Sequence, residues 1–443
     1  MKKPIIVVGA GVSGLCTGAL LAKQGYHVEI FEKSSTVGGR TSSVQYKNHI
    51  LDNGFHIMPF YKTSAVYQVL KKIGIVKQLR LAKVSDIAFY ENKKFYKYPK
   101  GIVDVLRLSL IPFKNRVSLL KLLLPMAFST IEKSEKLDNH SLTHITAKLD
   151  PKTRTFFDAV CMLAFADTPD HIALGEFIRT IIRANPFKGG TSEFAYPSDG
   201  GYDTICKLLA AYIEQKDGKI RLEQSIKQIT IENGCAIGVV LSNGDIIKSD
   251  CIVVSQPAYL AINDLFEPGT FEPAFVSKIE RLNKTTSVIE VHFCLSEQIE
   301  TRQVVFPVGN YTTKGVFFVS NITNSVSPKG QHLVMAGTPV PPEYTESPAK
   351  IKEVTQKMKA ELSQIYPKFT KSLLWERPMA WKLVEAVVKE PGMVWKHKIP
   401  HQVNNVRGLF FVGDSTISYG IGTDSAAHSS ILCNPKIISH LKN

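Results

Sequence analysis

One short segment constrains this chain more than any other. Gly9-Ala10-Gly11-Val12-Ser13-Gly14 follows a β-branched run, Ile5 to Val8, and precedes Leu15 to Lys23, which reads as a helix stopped by Gly25. A second strand, His27 to Phe31, ends on Glu32. Strand, glycine turn, helix, second strand and terminal acid, in that order, predict a βαβ unit with a dinucleotide lying on the turn. Gly9 allows the tight turn, Gly11 lets the backbone approach a pyrophosphate, and Gly14 lets helix and strand pack closely. The helix N-terminus offers N–H groups and a favourable dipole to the phosphates. Glu32 is placed to accept hydrogen bonds from ribose hydroxyls, which favours FAD or NAD over NADP.

Three further segments select FAD. Gly38-Gly39-Arg40 permits a second close approach to the pyrophosphate, and Arg40 brings a neutralising charge. Near the C-terminus, Leu409 to Val412 reads as a buried strand with Gly413 and Asp414 at its carboxyl end, where open α/β sheets hold their ligands. Asp414 suits a ribityl hydroxyl, a group that NAD lacks. Gly422 and Thr423 then open a last helix, read as running to about Leu432. Its positive end suits the negative charge that develops at the flavin N1–C2=O edge. The stretch Gly218 to Val240 is rich in strands, and Ile226 within it is expected to pack on the adenine. No residue suited to covalent attachment is apparent, so the FAD is expected to be held non-covalently.

These pieces together resemble the superfamily of FAD-dependent amine oxidases, protoporphyrinogen oxidases and phytoene desaturases. The resemblance rests on Gly9 to Gly14, Glu32, Gly38 to Arg40, Asp52-Asn-Gly-Phe-His56, Tyr196-Pro-Ser-Asp-Gly-Gly201, Gly413-Asp414 and Gly420 to Ala426. The Asp-x-Gly-x-His and Tyr-Pro-x-x-Gly-Gly segments look most like the phytoene desaturase branch. The resemblance implies an α/β fold: a discontinuous Rossmann-like FAD domain of the glutathione reductase and amine oxidase type, with an interleaved α+β substrate domain. The FAD domain is expected over residues 1–60, 195–265 and 400–443, and the substrate domain over 61–194 and 266–399. Residues expected around the cofactor are Gly9, Gly11, Val12, Ser13, Gly14, Glu32, Lys33, Gly38, Gly39, Arg40, Gly54, Phe55, His56, Ile226, Gly413, Asp414, Ile421, Gly422 and Thr423. Asp52 and His56 are the candidates for positioning or proton transfer. A backbone-bonded structural role is at least as natural for His56.

The substrate half is less explicit. Its first part reads as largely helical, including the leucine-rich, basic stretch Val103 to Phe128 broken at Pro112. Its second part alternates like a sheet that walls an apolar pocket in front of the flavin, with a helix, Ala349 to Ile365, covering it. The chain carries 54 Lys and Arg against 39 Asp and Glu, a formal charge of +15. That excess favours an anionic partner. Nucleic acid is disfavoured because no zinc-ligand spacing, recognition helix or RNA-binding aromatic motif is present. An anionic membrane surface remains, through Arg107, Lys114, Arg116 and Lys121. The bland alternative is a buried helix pair with snorkelling bases. Seven scattered cysteines with no CxxC spacing point to a reducing compartment. The glycines interrupt the N-terminal apolar run, so no cleaved leader is expected and a cytoplasmic, possibly membrane-peripheral, place is. No metal site is expected.

An FAD-dependent desaturase, dehydrogenase or isomerase of an isoprenoid or lipid-like substrate is the leading expectation. An amine or protoporphyrinogen-type oxidase using oxygen is the alternative, and a non-catalytic FAD-binding protein the third. The lack of a Ser-Gly-Gly-Cys attachment segment and of an aromatic pair to cage an amine favours the apolar substrate.

Overall fold

The computed structural model describes residues 3–54 and 56–442, and only the backbone of Leu163. Its first sheet is built where the glycine fingerprint requires it. Five strands run parallel in the order Lys219–Arg221, Val28–Phe31, Ile5–Val8, Ile252–Val254 and Val406–Phe411. Cys235–Leu241 joins the outer edge of Val406–Phe411 in parallel and carries Ile226–Glu232 and Ile246–Lys248 as antiparallel neighbours. The central strand is fully covered, and its side chains alternate between two cores. Ile5 and Val7 pack on one face, Ile6 and Val8 on the other. Such two-sided burial is why a run of β-branched residues makes a parallel strand here, each buried side chain contributing about 1.5–3 kcal/mol.

Helix Val12–Lys23 lies on one face of this sheet against Thr204–Gln215 and the last helix. Gly18 of the first helix sits where a Cβ would meet Ile30 at 2.9 Å, so the helix approaches the sheet closely. The last helix is longer than its sequence suggested. It spans Gly422–Lys442 and passes through Pro435, its buried face running on through Cys433 and Ile437.

The second sheet has the order Leu373–Trp381, Val288–Leu295, His332–Pro339, Gly315–Phe317, Val304–Pro307, Ile87–Glu91, Lys94–Lys97. The first insert is therefore not only helical: Ile87–Glu91 pairs in parallel with Val304–Pro307. Tyr90 and Phe89 belong to opposite faces of that sheet, a period-two pattern. Helix Pro348–Ile365 covers the far side of the sheet and not the pocket. Its Val354, Met358 and Leu362 pack with Ile289, Val291 and Val316, whereas Phe306 and Phe317 point the other way. Pro112 does break the leucine-rich stretch, into Ile102–Arg107 and Phe113–Ala127.

Candidate functional site

The glycine turn closes as its spacing requires. Gly9 has φ +96°, and a Cβ on Gly14 would lie 2.1 Å from the Gly9 carbonyl oxygen, so no side chain fits there. Ser13 on the first helical turn meets Ser255 Oγ at 3.0 Å, and Val12 is buried beside it. Ser255 directly follows the strand next to the first one and was missed by sequence reading. Only its place at the end of a β-branched run marked it. Gly38 and Gly39 dock on the same turn: Gly38 N–H donates to Ala10 O at 2.9 Å, and Gly39 lies over Gly11.

Glu32 is buried at the end of its strand and accepts from Ala10 N–H at 2.8 Å and Ser34 N–H at 2.9 Å. Its carboxylate thus borders the cradle. Lys33 is exposed. Ile226 packs with Val8 and Phe31 on the second face of the sheet. Arg40 forms a two-pronged pair with Asp414, at 2.6 and 2.9 Å. The Arg40 guanidinium holds the Asp414 carboxyl well below the usual carboxylate range against the opposing effect of burial. Gly413 has φ +129° and lies beside Ser13 and Ser255. The two ends of the chain therefore meet at one cleft with glycine-lined walls.

The segment before it frames the deep end. Asp52 accepts from Ser43 Oγ (2.7 Å), Tyr196 OH (2.6 Å) and Tyr202 N–H (2.9 Å). Both its oxygens are occupied and it does not line the cavity described below, so it holds the loop in place. Gly54 N–H donates to Glu290 at 3.0 Å, while Phe55 lies outside the described residues. His56 contacts two carbonyl oxygens through Nε2, Asn53 at 2.9 Å and Arg40 at 3.1 Å, and stacks on Tyr202 with centroids 5.2 Å apart. Two carbonyl acceptors call for the proton on Nε2, and Nδ1 has no hydrogen-bond partner among the described residues. Tyr202 in turn meets Thr423 Oγ1 at 3.1 Å.

From this end a cavity of about 240 Å³ runs between the second sheet and the helices Pro151–Phe165 and Leu174–Ala184. His56, Ile421, Gly422 and Thr423 line one end of it, beside Val384 and Glu385. Its walls are Phe60, Tyr98, Phe165, Phe177, Phe194 and Phe306, with Ile181 and Val160. Gly315 and Gly337 stand opposite one another in register on its floor. Among the described residues no group of His, Cys, Asp and Glu is arranged to hold a metal ion.

A buried charge network ties the cavity wall to the C-terminal turn. On helix Leu174–Ala184, Glu176 accepts from Gly420 N–H at 2.8 Å, Arg179 bridges Glu176 and Asp138, and Arg183 pairs with Asp424. Lys398, buried, donates to Asp414 O at 2.9 Å and Ser418 Oγ at 2.8 Å, and its burial pulls its ammonium down to about 7. Of these charges only Asp424 sits in a motif, and apart from the Glu176–Arg179 pair the partners lie well apart in sequence, so sequence reading did not assemble the network.

Residues 12–435 match the model of a family described as flavin containing amine oxidoreductase. A 15-cis-phytoene desaturase of Solanum lycopersicum is 23% identical over 98% of this chain and 77% of its own length. An oxidoreductase from Methanosarcina mazei has a similar structure, with TM-score 0.80 and 21% identity over 98% of this chain and 99% of its own. A putrescine oxidase bound to putrescine follows with TM-score 0.73 and 15% identity, 99% of each chain being covered. At such identities the two structures speak for the fold.

Proposed function

This chain belongs to the flavin-containing amine oxidoreductase family and is an FAD-dependent oxidoreductase, and from that premise we propose that it oxidises an apolar, isoprenoid-like substrate. The observation that carries the reading is the cavity: its aromatic and aliphatic walls end at His56 and the start of the last helix. The glycine cradle, with no room for a Cβ at Gly14, fits a pyrophosphate, and Glu32 and the Arg40–Asp414 pair fit a ribose and a ribityl chain. FAD, when bound there, would supply a two-electron acceptor for the oxidation of a C–H bond.

The protein's part is to bind, to exclude water and to remove a proton. Dehydrogenating a saturated C–C bond removes a hydride and, from the neighbouring carbon, a proton; the bound FAD would supply the hydride acceptor, and the protein the base. His56 is that base in our reading, because its Nδ1 has no partner among the described residues and its ring lines the cavity. The apolar walls grip a hydrocarbon chain without a polar handle. Mixing the anaerobic holoenzyme with an acyclic isoprenoid in detergent micelles should bleach the flavin and give a more conjugated product. Acid precipitation should leave the FAD in the supernatant. Bleaching by a diamine but not by the isoprenoid would reverse the assignment.

We also place the cavity beside an anionic lipid surface. No described helix is long and apolar enough to cross a membrane. Most of the large apolar side chains left exposed lie together on the two helices of residues 102–128 and at residue 187: Ile102, Val103, Phe113, Val117, Phe128 and Phe187. Phe128 and Phe187 stack at 6.1 Å. This patch is fastened to the cavity wall by Asn185 Nδ2 to Ala127 O (2.8 Å) and Ser192 Oγ to Lys100 O (3.0 Å). Arg107, Lys114 and Lys121 are exposed around it. Arg116 departs from the sequence reading: its guanidinium donates to Ile111 O and Leu106 O and locks the two helices together. Each surface base near anionic lipid contributes about 1 kcal/mol. Cosedimentation with phosphatidylserine vesicles should be strong at low salt and lost at high salt. It should fall in a triple variant with Gln at 107, 114 and 121, and equal binding to neutral vesicles would defeat the idea.

A further inference from the structure

Val384–Ala386 belongs to no motif, yet it is tied to three residues of the flavin cleft. Val384 O accepts from Arg40 Nη1 at 2.9 Å, Ala386 N–H donates to Asp414 Oδ2 at 2.7 Å, and Glu385 Oε1 accepts from Gly422 N–H at 2.7 Å. The Glu385 carboxylate is buried and lines the cavity. Its other oxygen faces the ammonium of Lys389 at 3.1 Å, which is equally buried. Thr286 Oγ1 accepts from Glu385 N–H, and Lys389 O accepts from Ala173 N–H, so both residues are fixed at the backbone. A negative group therefore already occupies the N-terminal N–H of the last helix, the position that its dipole makes favourable for negative charge.

We propose that Glu385 and Lys389 form a charge pair that sets the reduction potential of the bound flavin. Two-electron reduction places negative charge on the ring. A carboxylate at the helix terminus takes up part of the stabilisation that the terminus offers and repels that charge, while Lys389 offsets the repulsion. In a cleft shielded from solvent such charges are weakly screened. The inference rests on the flavin end of FAD lying at Gly422 and Thr423, as in the function proposed above.

The test is an anaerobic, dye-coupled potentiometric titration of the full-length holoenzyme. Glu385→Gln keeps the acceptor for Gly422 N–H and removes the charge, so its flavin should be easier to reduce. Lys389→Met leaves the carboxylate unneutralised, so its flavin should be harder to reduce. Each change should move the balance between reduced and oxidised flavin against a common dye by about tenfold. Shifts of opposite sign identify charge, because general loosening of the site moves both variants the same way. Unchanged potentials, or shifts of one sign, would overturn the proposal. If Glu385→Gln fails to retain FAD, Lys389→Met against the charge-preserving Lys389→Arg decides: only Met should shift. No substrate enters the measurement, so failure to oxidise isoprenoids leaves it standing, and unchanged potentials leave the substrate reading intact.

Discussion

Asp414→Ala is expected to abolish FAD retention and to destabilise the apoprotein by about 3 kcal/mol. The carboxylate is buried, and it receives two bonds from Arg40 and one from Ala386 N–H. Removing one partner of such a pair leaves the other uncompensated, at a cost of about 3–5 kcal/mol. The lower end applies because the Arg40 side chain is 35% exposed towards the cleft. Asp414→Asn should keep much of the stability and still lose FAD affinity. The sign with pH follows from the depressed carboxyl. Its contribution is complete above the unfolded aspartate value of about 4 and is lost as pH falls from there through the lower folded value. Urea unfolding of the apoprotein across acid pH should therefore show the wild type losing its advantage over Asp414→Ala only in that range. An advantage that disappears near neutrality would show that Asp414 is not held as an anion.

Arg179→Met carries the largest effect away from the cleft. Arg179, Glu176 and Asp138 have side chains exposed by only 1%, 1% and 2%. Loss of the guanidinium strands two carboxylates in the interior, and about 3–5 kcal/mol of stability should go with it. Because Glu176 also holds Gly420 N–H, FAD should be retained less well, even though Arg179 is not in the cradle. Burial already pushes the Asp138 carboxyl up to about 6 in spite of Arg179, and without the cation it rises further. A carboxyl with a raised folded pKa favours the folded state when protonated, so the variant should recover stability as pH falls through that range. Adding Glu176→Gln should return part of the loss, and a double variant no more stable than Arg179→Met would argue against stranded charge.

The first sheet and the cradle were legible because each element there obeys a local rule. Gly9 takes a φ that favours glycine and Gly14 has no room for a Cβ, and Ile5 to Val8 is buried on both sides, so motif and burial pattern coincide. His56 was legible as a motif member, but its backbone partners, the carbonyls of Arg40 and Asn53, were not. The helix Pro348–Ile365 was recognised from its period, yet its side of the sheet was not, because amphipathicity says that a face is covered and not what covers it. Arg116 reads as a surface base until its carbonyl partners are seen. Glu385 and Lys389 stand four residues apart and Arg179 three from Glu176, but Gly422, Ala173 and Asp138, which tie them to the rest of the fold, are brought near only by tertiary structure, and short-range pattern carries no record of those contacts.

The paired glycines on the cavity floor have a consequence for how this scaffold can diversify. A Cβ built on Gly315 would meet Phe306 at 3.4 Å and Phe317 at 3.6 Å, ordinary contact distances, and Gly315 lies in a strand that bends around no turn. The bore of the chamber is therefore set by an omission: a side chain is missing where the backbone would accept one. Alanine there would make the chamber shallower without touching the nucleotide cradle, His56 or the charge network. The girth of the chamber is thus set on its floor at Gly315, away from the end where His56 and Glu385 stand, and one can be revised while the other stays as it is.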